Sequence, residues 1–331
     1  METVVSGIRP TGNLHLGNYF GMMKNSVAMM NQYNCFFFVA DYHSLTTHPH
    51  PKDLHDTVRQ VVAECLACGI DPDQCTLYIQ SDVTETAELY LFLTMLAYVG
   101  ELERSTSFKD KVRTQPDNVN AGLLTYPVLM TADIILHRAH KVPVGKDQTQ
   151  HLEMSRDFVQ RFNRLYEVEY FPLPEAFSFS SSLVKVPGLD GTGKMGKSEG
   201  EGNAVFFIDE PEVIRKKVMR AVTDSGPTEM NQPKPEVIQN LFTLMELVSS
   251  SDTKKHFDDA YNTCTIRYGD MKKQLAEDMI AFTSPIRERA KQFYNDSDYL
   301  HKVLLQGEEK ARASAGKTIR EVREIIGIRK F

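Results

Sequence analysis

The first half of the chain alternates short apolar runs with longer stripes of helical period, and this constrains the fold more than any other feature. Strands joined through helices pair in parallel, because each crossover returns the chain to the same end of the sheet. Thr3 to Ile8 reads as a first strand, followed by the loop RPTGN and a helix from about Leu16 to Gln32. CFFFVAD, residues 35 to 41, is a continuous apolar run, as expected of a strand covered on both faces. Residues 52 to 68 carry Leu54, Val58, Val61, Val62, Cys65 and Leu66 on one helical stripe, with Pro51 suited to the first turn and Gly69 to the end. TLYIQ (76 to 80) and KVPVG (141 to 145) read as further strands, and about 86 to 98 as a helix. A helix follows from DQTQ, for which Asp147 is the expected N-cap with Gln150 completing a capping box.

After about residue 185 the texture changes, and helical patterns cover 211 to 223, 234 to 249, 252 to 264 and 268 to 294. The expected organisation is an α/β domain over 1–185, a lysine-bearing loop with an all-helical domain over 186–298, and a helical segment over 299–331 that is a candidate to pack back on the first domain.

The composition is that of a globular protein, 41% hydrophobic and 25% charged. No apolar run reaches the length needed to span a bilayer. METVVSGIRP has neither a basic nor an apolar leader region, so a cytoplasmic location is expected. The net charge of -6 argues against indiscriminate nucleic-acid binding but not against a local basic patch. From His301 onward eight Lys or Arg face four Glu, a surplus that fits either a phosphate backbone or a solvated helix face. Five scattered cysteines make no disulfide framework. Cys65 and Cys68 form a C-x-x-C inside a helical stripe, where core packing is expected.

GTGKMGKS, residues 191 to 198, matches the phosphate-cradling pattern G-x-x-x-x-G-K-[ST]. That motif works only where the glycine turn opens directly into a helix. Here EGEGNAVFFID follows, so no helix is expected at Lys197, and VFFID is too close to supply a magnesium-binding strand. The alternatives are a mobile surface loop, or a loop whose Lys194 and Lys197 neutralise a triphosphate as pyrophosphate departs. In SGIRPTGNLHLGNYFG, residues 6 to 21, a strand ends, Pro and Gly turn the chain, and a helix begins near His15 and Leu16. Gly17 would either let a nucleotide approach the backbone or answer a packing need, while His15 and Asn18 can hydrogen-bond phosphate or ribose.

AGLLTYPVLMTADIILH is apolar on most sides, with Pro127 expected to kink it. Tyr126, Met130 and Asp133 lie at i, i+4 and i+7 and share one face. A carboxylate among Leu129, Met130, Ala132, Ile134 and Ile135 needs a partner. That partner is either an internal salt bridge or cap, or the N–H of an aromatic ligand lying between Tyr126 and Met130. His43 reads equally as a satisfied core histidine or a site residue, and HPHP (48 to 51) as a surface loop rather than a metal site.

HLGN (15 to 18) resembles the H-I-G-H element of the class I aminoacyl-tRNA synthetases, and KMGKS (194 to 198) resembles their K-M-S-K-S loop. GNYFG, ADYHSLT, GELERSTSFKDK, AGLLTYPVLMTADIIL and VPVGKDQTQHLEMSRD resemble the tryptophanyl branch, in dense blocks from about residue 3 to 225. The chain departs from the pattern at Asn18 for the last His, Gly196 for Ser, and Lys146 where an acidic residue is frequent. The resemblance implies a Rossmann-like catalytic domain with a helical anticodon-binding domain, and a homodimer. It implies use of ATP with Mg²⁺, and as substrates L-tryptophan and tRNA(Trp). It implies catalysis by His15, Asn18, Lys194 and Lys197. ATP would be held by Arg9, Pro10, Thr11, Gly17, Asn18, Gly145, Lys146, Asp147, Lys194, Met195, Gly196, Lys197 and Ser198. Tryptophan would meet Asp133, Tyr126, Met130, Val5, Gly7, His43, Val142, Val144 and Gln148. Two other readings stay open: a tyrosyl or other adenylyl-transferring enzyme, and a non-catalytic relative that binds tryptophan or RNA.

Overall fold

A computed structural model describes residues 1–143, 145, 148–177, 186–191, 193–196, 200 and 202–328. Five strands form one parallel sheet: β1 (Thr3–Ile8), β2 (Asn34–Val39), β3 (Thr76–Ile79), β4 (Lys141–Pro143) and β5 (Glu175–Phe177). Their order is β3-β2-β1-β4-β5, and every neighbouring pair is parallel. Cys35 to Val39 of β2 are all buried, which is why that run shows no polar alternation. Strand order reverses between β1 and β4. In sheets of this kind the crevice at the carboxyl ends beside such a reversal is where ligands bind.

The helix after β1, α1, comprises Leu16–Asn18, Tyr19–Met23 and Lys24–Met29, and its middle segment is π-helical. The widened turn seats Tyr19 and Phe20 against Phe282, with ring centroids 5.3 Å apart in both pairs. Further helices are α2 (Pro51–Ala67), α3 (Glu85–Thr94), α4 (Tyr126–Leu136) and α5 (Thr149–Leu165). Pro51 does sit in the first turn of α2. Pro127 does not kink a continuous helix. Ala121–Leu124 ends at Thr125, and Pro127 occupies the first turn of α4, where no N–H is required. The N-cap of α5 is Gln148, the expected cap Asp147 lies outside the described residues, and Gln150 accepts from the N–H and hydroxyl of Thr106.

Beyond residue 185 come α6 (Pro211–Met219), α7 (Glu236–Val248), α8 (Ser251–Asn262), α9 (Tyr268–Asn295) and α10 (Ser297–Ile325). The core on one face of the sheet runs from Val4, Phe37 and Val39 through Leu189 and Phe207 to Phe242, Tyr261 and Met279. The other face holds Val5, Phe36, Phe38, Val142 and the inner side of α4 and α5. The long α10 lies along the edge strand β3, so close that a Cβ on Gly307 would fall 1.8 Å from the Leu77 carbonyl oxygen. A helix there covers a strand edge that would otherwise offer unpaired backbone groups. Cys65 and Cys68 are buried, and burial pushes both thiols above their ordinary range, as fits packing residues. Among the described residues no helix is long and apolar enough to cross a membrane.

Candidate active site

β1 ends at Ile8, and the chain turns through Arg9 to Asn13 before α1. The turn is held from α2: Glu64, fully buried, accepts the Leu14 N–H at 2.6 Å and the Gln60 amide at 3.0 Å. At the helix entry Asn18 Oδ1 accepts the His15 N–H at 3.0 Å. Leu14 to Leu16 then pair with a segment far along the chain. The Leu16 N–H donates to the Val205 carbonyl, the Phe207 N–H donates to the Leu14 carbonyl, and His15 and Phe206 form an antiparallel bridge. The edge of one ring meets the face of the other between His15 and Phe206, centroids 5.8 Å apart.

The lysine-bearing loop reaches the same place. Lys194 bridges Pro187 in antiparallel fashion, and the Met195 N–H donates to the Val186 carbonyl. Asn203, buried behind the loop, donates to the Lys194 carbonyl at 3.4 Å and accepts the Asp190 N–H at 3.3 Å. Residues 195, 196, 200 and 202 to 204 are not helical, and among the described residues the next helix begins only at Pro211. The self-contained phosphate loop therefore fails on its required context. A Cβ placed on Gly17 would lie 3.2 Å from the Met195 carbonyl oxygen and 2.8 Å from the His15 ring. Only glycine lets the loop and the helix entry come this close. Lys194 is exposed and Gly196 half-buried, while the Met195 side chain is buried in the core. Pro10 and Gly17 are buried, Arg9 and Asn18 half-buried, Thr11 exposed.

A second group lies beside the first. Asp133, only 3% exposed, is held on both oxygens: His43 Nε2 lies 2.7 Å from Oδ2, and the Gln80 amide donates to Oδ1 at 2.7 Å. Burial raises the carboxyl above its ordinary range, and the hydrogen bonds from His43 and Gln80 pull in the opposite direction. A carboxylate offers about four lone-pair sites, so acceptor capacity remains. Internal pairing and a ligand contact are thus compatible. The Tyr126 ring packs 4.4 Å from His43 and 5.6 Å from His151, whose Nδ1 is 2.8 Å from Gln148 Oε1. Val5 and Val142 are buried on this sheet face, with Met130 packed against the same cluster. Gly7 faces Phe38, whose ring a Cβ would approach to 2.4 Å. Gly145 is half-buried, and its carbonyl accepts the Gln148 N–H. Arg9 joins the two groups, its Nη2 donating to the His43 carbonyl at 3.4 Å.

Val144, Lys146, Asp147, Lys197 and Ser198 lie outside the described residues. Sequence reasoning passed over Glu64, Gln80, Asn203 and Phe206. Glu64 had the same signal as Asp133, a carboxylate inside an apolar stripe. Gln80 had its position at the carboxyl end of a strand. Asn203 and Phe206 had none, since only tertiary contact makes them part of the site.

The sequence profile of the tRNA synthetases class I (W and Y) matches residues 2–284. The chain is 62% identical over 329 residues to the tryptophan–tRNA ligase of Porphyromonas gingivalis, covering 99% of this chain and 100% of that one. It is 40% identical to the tryptophan–tRNA ligase of Fusobacterium nucleatum, over 99% of this chain and 98% of that one. The chain belongs to the class I aminoacyl-tRNA synthetases, in the tryptophanyl branch. The tryptophanyl-tRNA synthetase of Campylobacter jejuni, solved with ADP and tryptophan, superimposes with a TM-score of 0.89 at 35% identity, over 98% of this chain and 99% of that one. Tyrosyl-tRNA synthetase from Aeropyrum pernix shares the fold, with a TM-score of 0.66 at 18% identity. As a synthetase of this branch, the chain is an aminoacyl-tRNA ligase with a Rossmann-like sheet.

Proposed function

We propose that the chain activates L-tryptophan with ATP and transfers it to the 3′ end of tRNA(Trp). The observation that carries this reading is the approach of the Met195 carbonyl to Gly17, which joins the lysine loop to the His-Leu-Gly-Asn helix entry beside Asp133. In the first step a tryptophan carboxylate oxygen attacks the α-phosphorus of ATP. The bond to the β-phosphate oxygen breaks and pyrophosphate leaves. In the second, a terminal ribose hydroxyl of tRNA attacks the aminoacyl carbonyl and AMP departs. The protein contributes position and charge.

His15, Gly17 and Asn18 hold the nucleotide, with Arg9, Pro10 and Thr11 along the same turn. Lys194 and Lys197 meet the phosphates, and Met195, Gly196 and Ser198 complete their loop. Gly145, Lys146 and Asp147 lie toward ribose and adenine. Mg²⁺ enters on the phosphates of ATP as part of that substrate. The indole lies against Tyr126, Met130, Val5, Gly7, Val142, Val144 and Gln148, its N–H donating to Asp133, which His43 and Gln80 hold in place. The helices of 186–298 take the anticodon end of tRNA, and the enzyme works in the cytoplasm as a homodimer. Leu91, Met95, Tyr98 and Val99 leave 50% or more of their surface exposed on one short stretch, an apolar patch suited to a second copy.

Tryptophan-dependent exchange of labelled pyrophosphate into ATP tests the reading. Exchange with tryptophan and none with tyrosine is expected. Exchange with tyrosine alone points to the sister enzyme, and none with either to a binding protein. The chain contains no Trp, so bound tryptophan is its sole indole fluorophore and its affinity can be read separately.

A further inference from the structure

We propose that Lys217, on α6, is a positioning residue for His15, acting through the turn Ala204 to Asp209. Lys217 is 13% exposed at its side chain and its partner Asp209 12%. The ammonium donates to Asp209 Oδ2 at 2.6 Å and to the Ala204 carbonyl at 3.0 Å, so it closes both ends of the turn. Asp209 Oδ2 also accepts the Phe206 N–H at 2.9 Å. The same ammonium lies 4.7 Å from the centre of the Phe206 ring, and that ring stands at 83° to the His15 imidazole. A single cation thereby sets the backbone that pairs with Leu14 and Leu16 and the aromatic that borders His15. Arg287 of α9 donates to the Asp209 carbonyl at 3.0 Å, which ties the turn to the helical half as well.

A largely desolvated ammonium is a costly way to brace an ordinary surface turn. It is an effective way to fix an imidazole, because the charge-assisted bonds are directional and the turn lacks the slack of a mobile loop. The reach of Lys217 ends at the nucleotide half of the site. Asp133, on α4, is held by Gln80 just after β3 and by His43 of the short helix Asp41–Ser44, neither of which Lys217 touches by hydrogen bond or ion pair.

The inference rests on His15 serving the nucleotide, and its test uses the full chain. Pyrophosphate exchange gives KM for ATP and kcat, while indole fluorescence gives tryptophan affinity. Lys217→Met keeps the aliphatic stem. It is expected to raise KM for ATP about ten-fold and to leave tryptophan affinity within about two-fold. Lys217→Arg should recover most of the loss, and Lys216→Met, on the exposed neighbour, should match the unaltered protein. Unchanged KM for ATP in Lys217→Met, or equal losses for ATP and tryptophan, would overturn the proposal in favour of a purely structural lysine. Should Lys217→Met fail to fold, Phe206→Leu keeps the ion pair and the backbone bridge. It should raise KM for ATP alone, and an unchanged value overturns the proposal equally. Absence of tryptophan-dependent exchange in the unaltered protein would instead remove the reading of the site, which separates the two failures.

Discussion

Asp133 shows how one residue serves packing and recognition together. Its two oxygens are engaged by a histidine and an amide from different strand ends, which orients the carboxylate within an apolar surround. A site built to pair one polar ligand group rejects analogues that lack it, because its own polar atoms are then stranded. Asp133→Asn keeps the shape but replaces one acceptor oxygen by a donor. We expect kcat/KM for tryptophan to fall roughly 10²-fold with KM for ATP within about two-fold, measured by exchange. His137 is another buried histidine, with a different task. It stacks on Phe36 at 4.1 Å and lies 3.0 Å from the Tyr78 hydroxyl and 3.1 Å from that of Ser314. Burial pushes its pKa down from 6.5 to about 3. The unfolded chain therefore takes up a proton below about 6.5 while the folded one stays neutral down to about 3. Stability from this group is complete above that window and lost as pH falls through it. Between pH 7 and 5 the loss should be about 2 kcal/mol, read as a urea midpoint shift that is absent in His137→Gln.

At the scale of elements, the decisive feature is the contact between the entry of α1 and the lysine-bearing loop. Gly17 permits it, and Gly17→Ala places a methyl against the His15 ring and the Met195 carbonyl. Overpacking of this kind costs about 1–3 kcal/mol, so KM for ATP should rise roughly ten-fold or more while indole fluorescence reports unchanged tryptophan affinity. An equal fall in both would assign Gly17 to the fold instead. Most elements were legible because their periods are local. The stripe of α2 and the unbroken run of β2 lie where those patterns place them. The errors fall where local signals compete. Pro127 fits a helix interior or a first turn equally by sequence, and the short helix Ala121–Leu124 decides for the latter. Gln150, expected in a capping box, is drawn to Thr106 by a contact from 44 positions away.

Across the whole molecule, the sheet, the helical half and α10 share contacts that local patterns do not disclose. α10 covers the β3 edge at Gly307 and is paired to α3 through Arg323 and Glu88. Gly307→Ala would drive a methyl into the Leu77 carbonyl, and we expect a loss of about 1–3 kcal/mol and a melting temperature several degrees lower. The exposed Leu91, Met95, Tyr98 and Val99 give a test of the proposed homodimer: the unaltered protein should sediment as a dimer and Met95→Asp as a monomer, while a monomeric unaltered protein removes the dimer and a dimer that persists in Met95→Asp places the interface elsewhere. Alternating periods were enough to determine an α/β chain, and the resemblance of the lysine loop, the His-Leu-Gly-Asn turn and the other blocks to known motifs was enough for its family, because each period or motif is a run of neighbouring residues. Which side chains hold those residues was decided only by tertiary structure. Glu64 under Leu14, Gln80 on Asp133, and Lys217 behind Phe206 each join segments that the chain itself keeps apart, and a hydrogen bond across such a gap leaves no period to read.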